Sequence, residues 1–161
     1  PAFKPDGVIT AGNSSQISDG AAALLLVSED ILNKFNLEPI AKIKSMAVVG
    51  TDPVLMLSGP IPATRKALDQ AKLKPEDINL AEINEAFSSV VGAWRKEFPE
   101  INYENVNANG GSIAIGHPLG ATGARLMTNL IHEMKRNKLK YGLQAICEGG
   151  GTANATIVEL V

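Results

Sequence analysis

Apolar residues in this chain fall into short unbroken runs alternating with stretches of helical periodicity, and glycines and prolines punctuate the joins. The first run, AAALLLV from Ala21 to Val27, does not alternate, which predicts a strand buried on both faces. Ser28 is placed to cap a helix over Glu29 to Phe35, and the alternating IAKIKSMAVVG predicts a strand starting near Ile40. TDPVLMLSGPIP reads as a loop. Pro62 suits the first turn of a helix through Lys72 that carries Ala67, Leu68 and Ala71 inward, and Pro75 ends it.

Asp77 to Ile83 reads as a short strand, and Asn84 stands where a helix N-cap would. Phe87, Val90, Val91, Trp94 and Phe98 then share one helical face up to Pro99. Val106 to Ala108 is expected to be a strand entering a glycine loop, followed by a helix over Ala121 to Asn137 that buries Ala124, Leu126, Leu130, Ile131 and Met134. Lys135, Arg136 and Lys138 crowd its last turn, where they complement the helix dipole. Gln144 to Cys147 and Ala155 to Leu160 are the final strands, with the GGG between them as the turn. This order, βαβαβ and a closing hairpin, implies an α/β fold: a mixed sheet with helices on both faces. Ala21 to Val27 has no place in that unit and is expected to belong to another sheet.

Composition narrows the classes. The chain has 161 residues, 45% of them apolar, and a formal net charge of -2, enough for one domain with a full core. No apolar run approaches the roughly 20 residues of a membrane span, and a pI near 5.7 provides no basic field for nucleic acid. Neither a membrane nor a nucleic acid is an expected partner. The chain starts at Pro1 without a methionine, a signal peptide or an Arg-rich transit segment, so it is expected to be a piece of a longer polypeptide. A lone cysteine favours a reducing compartment, and the cytoplasm is the expected location.

Two glycine-rich stretches carry candidate chemistry. In NANGGSIAIGHPLGATG, Asn107 to Gly123, Pro118 drives the backbone of His117 into the extended region, while Gly116, Gly120 and Gly123 permit tight turns before a helix. A histidine there can orient a group or stabilise an oxyanion. The stretch has neither the Lys-Ser/Thr ending of a P-loop nor the spacing of a dinucleotide fingerprint. In CEGGG, Cys147 to Gly151, the only cysteine ends an apolar run beside bare amides, an arrangement suited to a thiol next to an oxyanion hole. A structural cysteine before a tight hairpin turn would leave the same trace. A histidine loop and a cysteine loop at two strand ends of one sheet favour acyl-transfer chemistry. Asn84, in NEAF, can be a cap, a holder of a site water, or both.

NEAF at Asn84 to Phe87, GGSIAIGHPLGATG at Gly110 to Gly123 and CEGGG closely resemble the C-terminal half of thiolases. The segments TAGNSSQISDGAAALLLVSE and SGPIPATRKAL resemble that family too, so the resemblance covers essentially the whole chain. It implies a thiolase-like mixed five-stranded sheet with helices on both faces, one half of an αβαβα sandwich. Residues 1–28 would be the tail of the family's N-terminal half, bearing the last strand of its sheet, and residues 29–161 the C-terminal domain.

Thiolases transfer acyl groups to and from coenzyme A through an acyl-cysteine, by Claisen condensation or thiolysis. The resemblance implies that His117 activates the nucleophilic cysteine and offers its Nε2 to one oxyanion hole, with Asn84 holding the water that completes it. Cys147 would be the second, acid/base cysteine, and the Gly149 amide would line a second oxyanion hole. Ser15 would contact coenzyme A, with Met56 and Phe87 beside the acyl and pantetheine pocket. No metal and no tightly bound cofactor are expected, only coenzyme A and acyl-CoA as substrates.

The acyl-accepting cysteine of the family lies in its N-terminal half, which would be the partner of this chain; alone, the chain is expected to be inactive. Intact, a homodimer or homotetramer is expected. Glu148 and Thr152-Ala153-Asn154 depart from the family pattern, which commonly has an apolar residue and a further glycine there. A charged Glu148 near the sulfur would raise its pKa. The competing readings are a non-catalytic acyl-CoA-binding or assembly module, and a ketoacyl-synthase-type condensing enzyme.

Overall fold

A computed structural model describes residues 1–161. Four strands, β1 (Ala41–Gly50), β2 (Leu80–Ile83), β3 (Tyr141–Cys147) and β4 (Thr152–Leu160), form one sheet in the order β1-β4-β3-β2. β4 pairs antiparallel with β1 and β3, whereas β2 and β3 are parallel, so the sheet is mixed. A parallel pair needs a crossover, and here it is the long stretch holding α3 (Ser88–Glu97), the short α4 (Ser112–Ile115) and α5 (Thr122–Asn137). Two further helices, α1 (Glu29–Phe35) and α2 (Pro60–Ala71), precede β2.

Strand alternation sends the two side-chain sets to different helices. Ala81, Ile83, Leu143, Ala145, Ala153, Ala155 and Ile157 share a core with Ala63, Ala67 and Leu68 of α2 and with Val91 and Trp94 of α3. The many alanines let the helices lie close to the sheet. Thr64 is fully buried in this layer because its hydroxyl accepts the Trp94 indole N–H at 2.9 Å. On the other face Leu80 and Val158 meet Leu130 and Met134 of α5. Gly142, under those two side chains, leaves the space they fill.

Helix α1 is capped as expected, with the Ser28 hydroxyl accepting from the Ile31 amide at 3.4 Å. Other expectations are corrected. Ala21 to Val27 joins neither a strand nor a helix of this chain, and Leu25 and Leu26 are exposed, so it is not a strand buried on both faces here. Residues Pro75–Asp77 form a single 3₁₀ turn, so β2 begins only at Leu80. Asn84 does not cap α3, which starts four residues later with Phe87 at its N-cap position. Its own amide instead bonds the Ala145 carbonyl at 2.9 Å and prolongs the pairing of β2 with β3.

The expected strand at Val106 to Ala108 shrinks to one parallel bridge between Ala81 and Val106, leaving four strands and a single fifth contact. Asn107 is the cause. Its backbone turns to φ +52°, and its side chain takes over the next ladder position, accepting from the Ile83 amide at 2.8 Å and donating to the Ile83 carbonyl at 3.0 Å.

Candidate active site

Because β2 and β3 run parallel, their carboxyl ends lie at the same edge of the sheet, the edge where open α/β sheets present ligand sites. Asn84 follows the end of β2 and Cys147 ends β3. The Asn84 side-chain nitrogen lies 3.7 Å from the Cys147 sulfur, and both residues are buried. Asn84 Oδ1 accepts from the Ser112 hydroxyl at 3.3 Å, and Ser112 accepts from Arg125 Nη2 at 3.3 Å. Ser112 opens α4, four residues before the turn into His117, so the asparagine touches the cysteine and also the loop that carries the histidine.

His117 is half-buried, and its Nδ1 lies 2.7 Å from the Thr122 hydroxyl, which also reaches the Pro118 carbonyl at 2.9 Å. A hydroxyl has one proton and can accept as well as donate. While that proton goes to Pro118, Thr122 accepts from Nδ1–H and leaves Nε2 a base; turned instead to Nδ1, it leaves Nε2–H a donor and gives up the Pro118 bond. Burial first, then the charge of Arg125, holds the His117 pKa below its ordinary value and favours the neutral ring.

Residues 14–17 stitch the asparagine and histidine loops together. Ser14 bridges Phe87, the Ser15 amide donates to the Ala86 carbonyl at 3.0 Å, and the His117 amide donates to the Gln16 carbonyl at 2.8 Å. Phe87 is half-buried and meets the ring of Phe3 edge-on at 5.5 Å. Met56, half-buried at φ +47°, sits in a loop whose first residue, Thr51, bonds the Gly151 carbonyl through both its amide and its hydroxyl. That ties the Met56 loop to the turn after the cysteine. Gly149 is exposed, with open space around the position a Cβ would take.

The Cys147 thiol is held above its ordinary pKa, chiefly by burial; the Asn84 amide opposes this, and the Glu148 carboxylate adds a smaller push upward. Glu148 itself is exposed and accepts from the Asn154 side-chain amide.

The family model described as thiolase, C-terminal domain, matches residues 37–160, and that for the N-terminal domain matches residues 1–30. The chain belongs to the thiolase family. A steroid 3-ketoacyl-CoA thiolase of Mycobacterium tuberculosis is 55% identical over 153 residues, 95% of this chain and 37% of that protein. The solved acetyl-CoA acetyltransferase of Bacillus anthracis aligns with all of this chain and 41% of its own, at 45% identity and a TM-score of 0.96. Human mitochondrial 3-ketoacyl-CoA thiolase, solved in complex with CoA, aligns with a TM-score of 0.90 at 38% identity, over all of this chain and 41% of that one. The chain thus spans about two fifths of the length of these thiolases. Its mixed, helix-flanked sheet is the thiolase fold.

Several polar residues around this edge did not stand out in the sequence. Glu85, within NEAF, accepts from the Ile113 amide at 3.1 Å and fastens the asparagine loop to α4. Glu82 is fully buried on β2, and Arg125 projects from α5 toward Ser112. A glutamate inside the apolar LAEI and an arginine between buried Thr122 and Leu126 were the available signals.

Proposed function

We propose that this chain supplies the C-terminal half of an acyltransferase acting on coenzyme A thioesters, joining two acetyl-CoA molecules or cleaving a 3-ketoacyl-CoA. The observation that carries the reading is the buried Asn84 contact to Cys147, with the histidine loop tied to the same asparagine through Ser112. It operates with an N-terminal half that brings the acyl-accepting cysteine, activated by His117.

In condensation, the Cys147 thiolate takes a proton from the methyl group of acetyl-CoA. The electron pair moves onto the thioester oxygen, where His117 Nε2–H and a water held by Asn84 receive the charge. The enolate carbon attacks the acyl-cysteine carbonyl, held by the Gly149 amide, and the partner's cysteine leaves as thiolate. An α-proton is too weakly acidic for a thiol base without such donors, and an elevated thiol pKa makes the thiolate a stronger base. Ser15 is assigned to coenzyme A contact, and Met56 and Phe87 to the walls of the acyl and pantetheine pocket.

The test is complementation. Co-expressed with a thiolase N-terminal half, the chain should yield a complex that cleaves acetoacetyl-CoA, and neither piece alone should do so. A folded complex without thiolysis that still binds acyl-CoA, unaffected by Cys147→Ala, would instead mark a non-catalytic binding module.

A further inference from the structure

A buried polar row leads away from the cysteine into the α5 side of the sheet. Asn84 is 1% exposed, Ser112 and Glu82 are 0% exposed, and the Nε and Nη1 atoms of Arg125 are buried without a hydrogen-bond partner in the chain. A guanidinium this deep is costly unless something uses it.

The direction of the hydrogen bonds follows from what each group can do. Arginine is a donor only, so at 3.3 Å from Arg125 Nη2 the Ser112 oxygen accepts. Its own single proton is then directed at the other partner, Asn84 Oδ1, 3.3 Å away. An amide whose oxygen is held on that side must turn its NH₂ the other way, and Asn84 Nδ2 does lie 3.7 Å from the Cys147 sulfur. A thiolate accepts hydrogen bonds, and an N–H donor favours it. Reversed, the amide would offer the sulfur an oxygen, which favours the protonated thiol.

We propose that Arg125 is a positioning residue for Cys147: through Ser112 it fixes the orientation of the Asn84 amide so that an N–H, not a carbonyl oxygen, faces the sulfur. Arg125 touches no reacting atom; it acts by setting the polarity of two hydrogen bonds in sequence. Its charge is also felt by Glu82 and His117, while Glu148 is the charged group acting on the sulfur itself. The functional weight of this relay rests on the acid/base role proposed for Cys147. Alkylation reads the sulfur without any acyl transfer, so failure of either idea is distinguishable from failure of the other.

Cys147 is the only cysteine, so the rate of iodoacetamide alkylation of the 161-residue chain, measured against pH, reports its thiolate directly. Ser112→Ala removes the oxygen that links the relay and leaves every charge in place. The thiol midpoint should rise by about one pH unit, the worth of one hydrogen bond to a charged group. Arg125→Met should raise it similarly, and Arg125→Lys, still a donor, should restore most of the shift. A folded Ser112→Ala chain with the parent midpoint overturns the relay even if the arginine variants do not fold. So does a uniform acceleration at every pH, which would mean that the site had merely loosened.

Discussion

The Asn84 side-chain nitrogen stands 3.7 Å from the Cys147 sulfur although 62 residues separate them in sequence, because two parallel strands end side by side. At Glu148 the same sulfur meets an opposing influence, a carboxylate that pushes its pKa up.

Glu148→Gln should therefore lower the thiol midpoint and speed alkylation of Cys147 below it. The gain should be a few-fold and no more, since burial is the larger cause and an exposed carboxylate is screened by solvent. Alkylation rates at low and high salt check this, with the two proteins converging as salt rises.

Glu82 makes stability depend on pH. Burial lifts its pKa from 4.5 to about 7, with Arg125 pulling it down and Glu133 pushing it up. A carboxyl whose folded pKa exceeds its unfolded one binds more protons in the folded state, so stability falls as pH rises from 4.5 to about 7 and then levels off. The loss is of order 3 kcal/mol at most, at about 1.4 kcal/mol per unit. Glu82→Gln keeps the shape and removes the titration. Urea midpoints from pH 5 to 8 should fall for the parent and stay flatter for the variant.

Thr122→Val replaces the hydroxyl that hydrogen-bonds His117 Nδ1 with a methyl group of similar volume. The ring loses the partner that steadies it in either tautomer. In the complemented enzyme kcat should drop by about tenfold, the worth of roughly one hydrogen bond in barrier height, with little change in KM. Steady-state kinetics on acetoacetyl-CoA decide it.

Gly151→Ala should be among the most damaging single methyl groups. Gly151 holds φ +85°, and an added Cβ would stand 2.6 Å from the Thr51 carbonyl oxygen, a backbone atom. The left-handed conformation alone costs about 1–2 kcal/mol, and the clash displaces the Met56 loop. Gly149→Ala, with open space around it, should leave stability within about 0.5 kcal/mol. Thermal unfolding of the two variants side by side checks the contrast.

Much of this was legible in the sequence where pattern and local chemistry agree. The amphipathic faces of α2, α3 and α5 and the cap at Ser28 follow from residue spacing alone. Asn84 misled because an asparagine before a helix looks like a cap whether its side chain turns to the helix or to a distant sulfur. Asn107 misled for a related reason: its side chain substitutes for strand pairing, which no periodicity reveals. Ala21 to Val27 read as buried because the run is apolar, but apolarity alone does not bring a covering surface, and Leu25 and Leu26 stand exposed. The row from Arg125 to Cys147 joins four separate segments and exists only in three dimensions.

The acid/base assignment of Cys147 is tested most directly by hydrogen exchange at the methyl group of acetyl-CoA in D₂O, catalysed by the complemented enzyme. The parent complex should wash deuterium into the methyl group, and the Cys147→Ala complex should not, while the N-terminal half's cysteine still becomes acetylated. Exchange at the parent rate in Cys147→Ala would contradict the assignment.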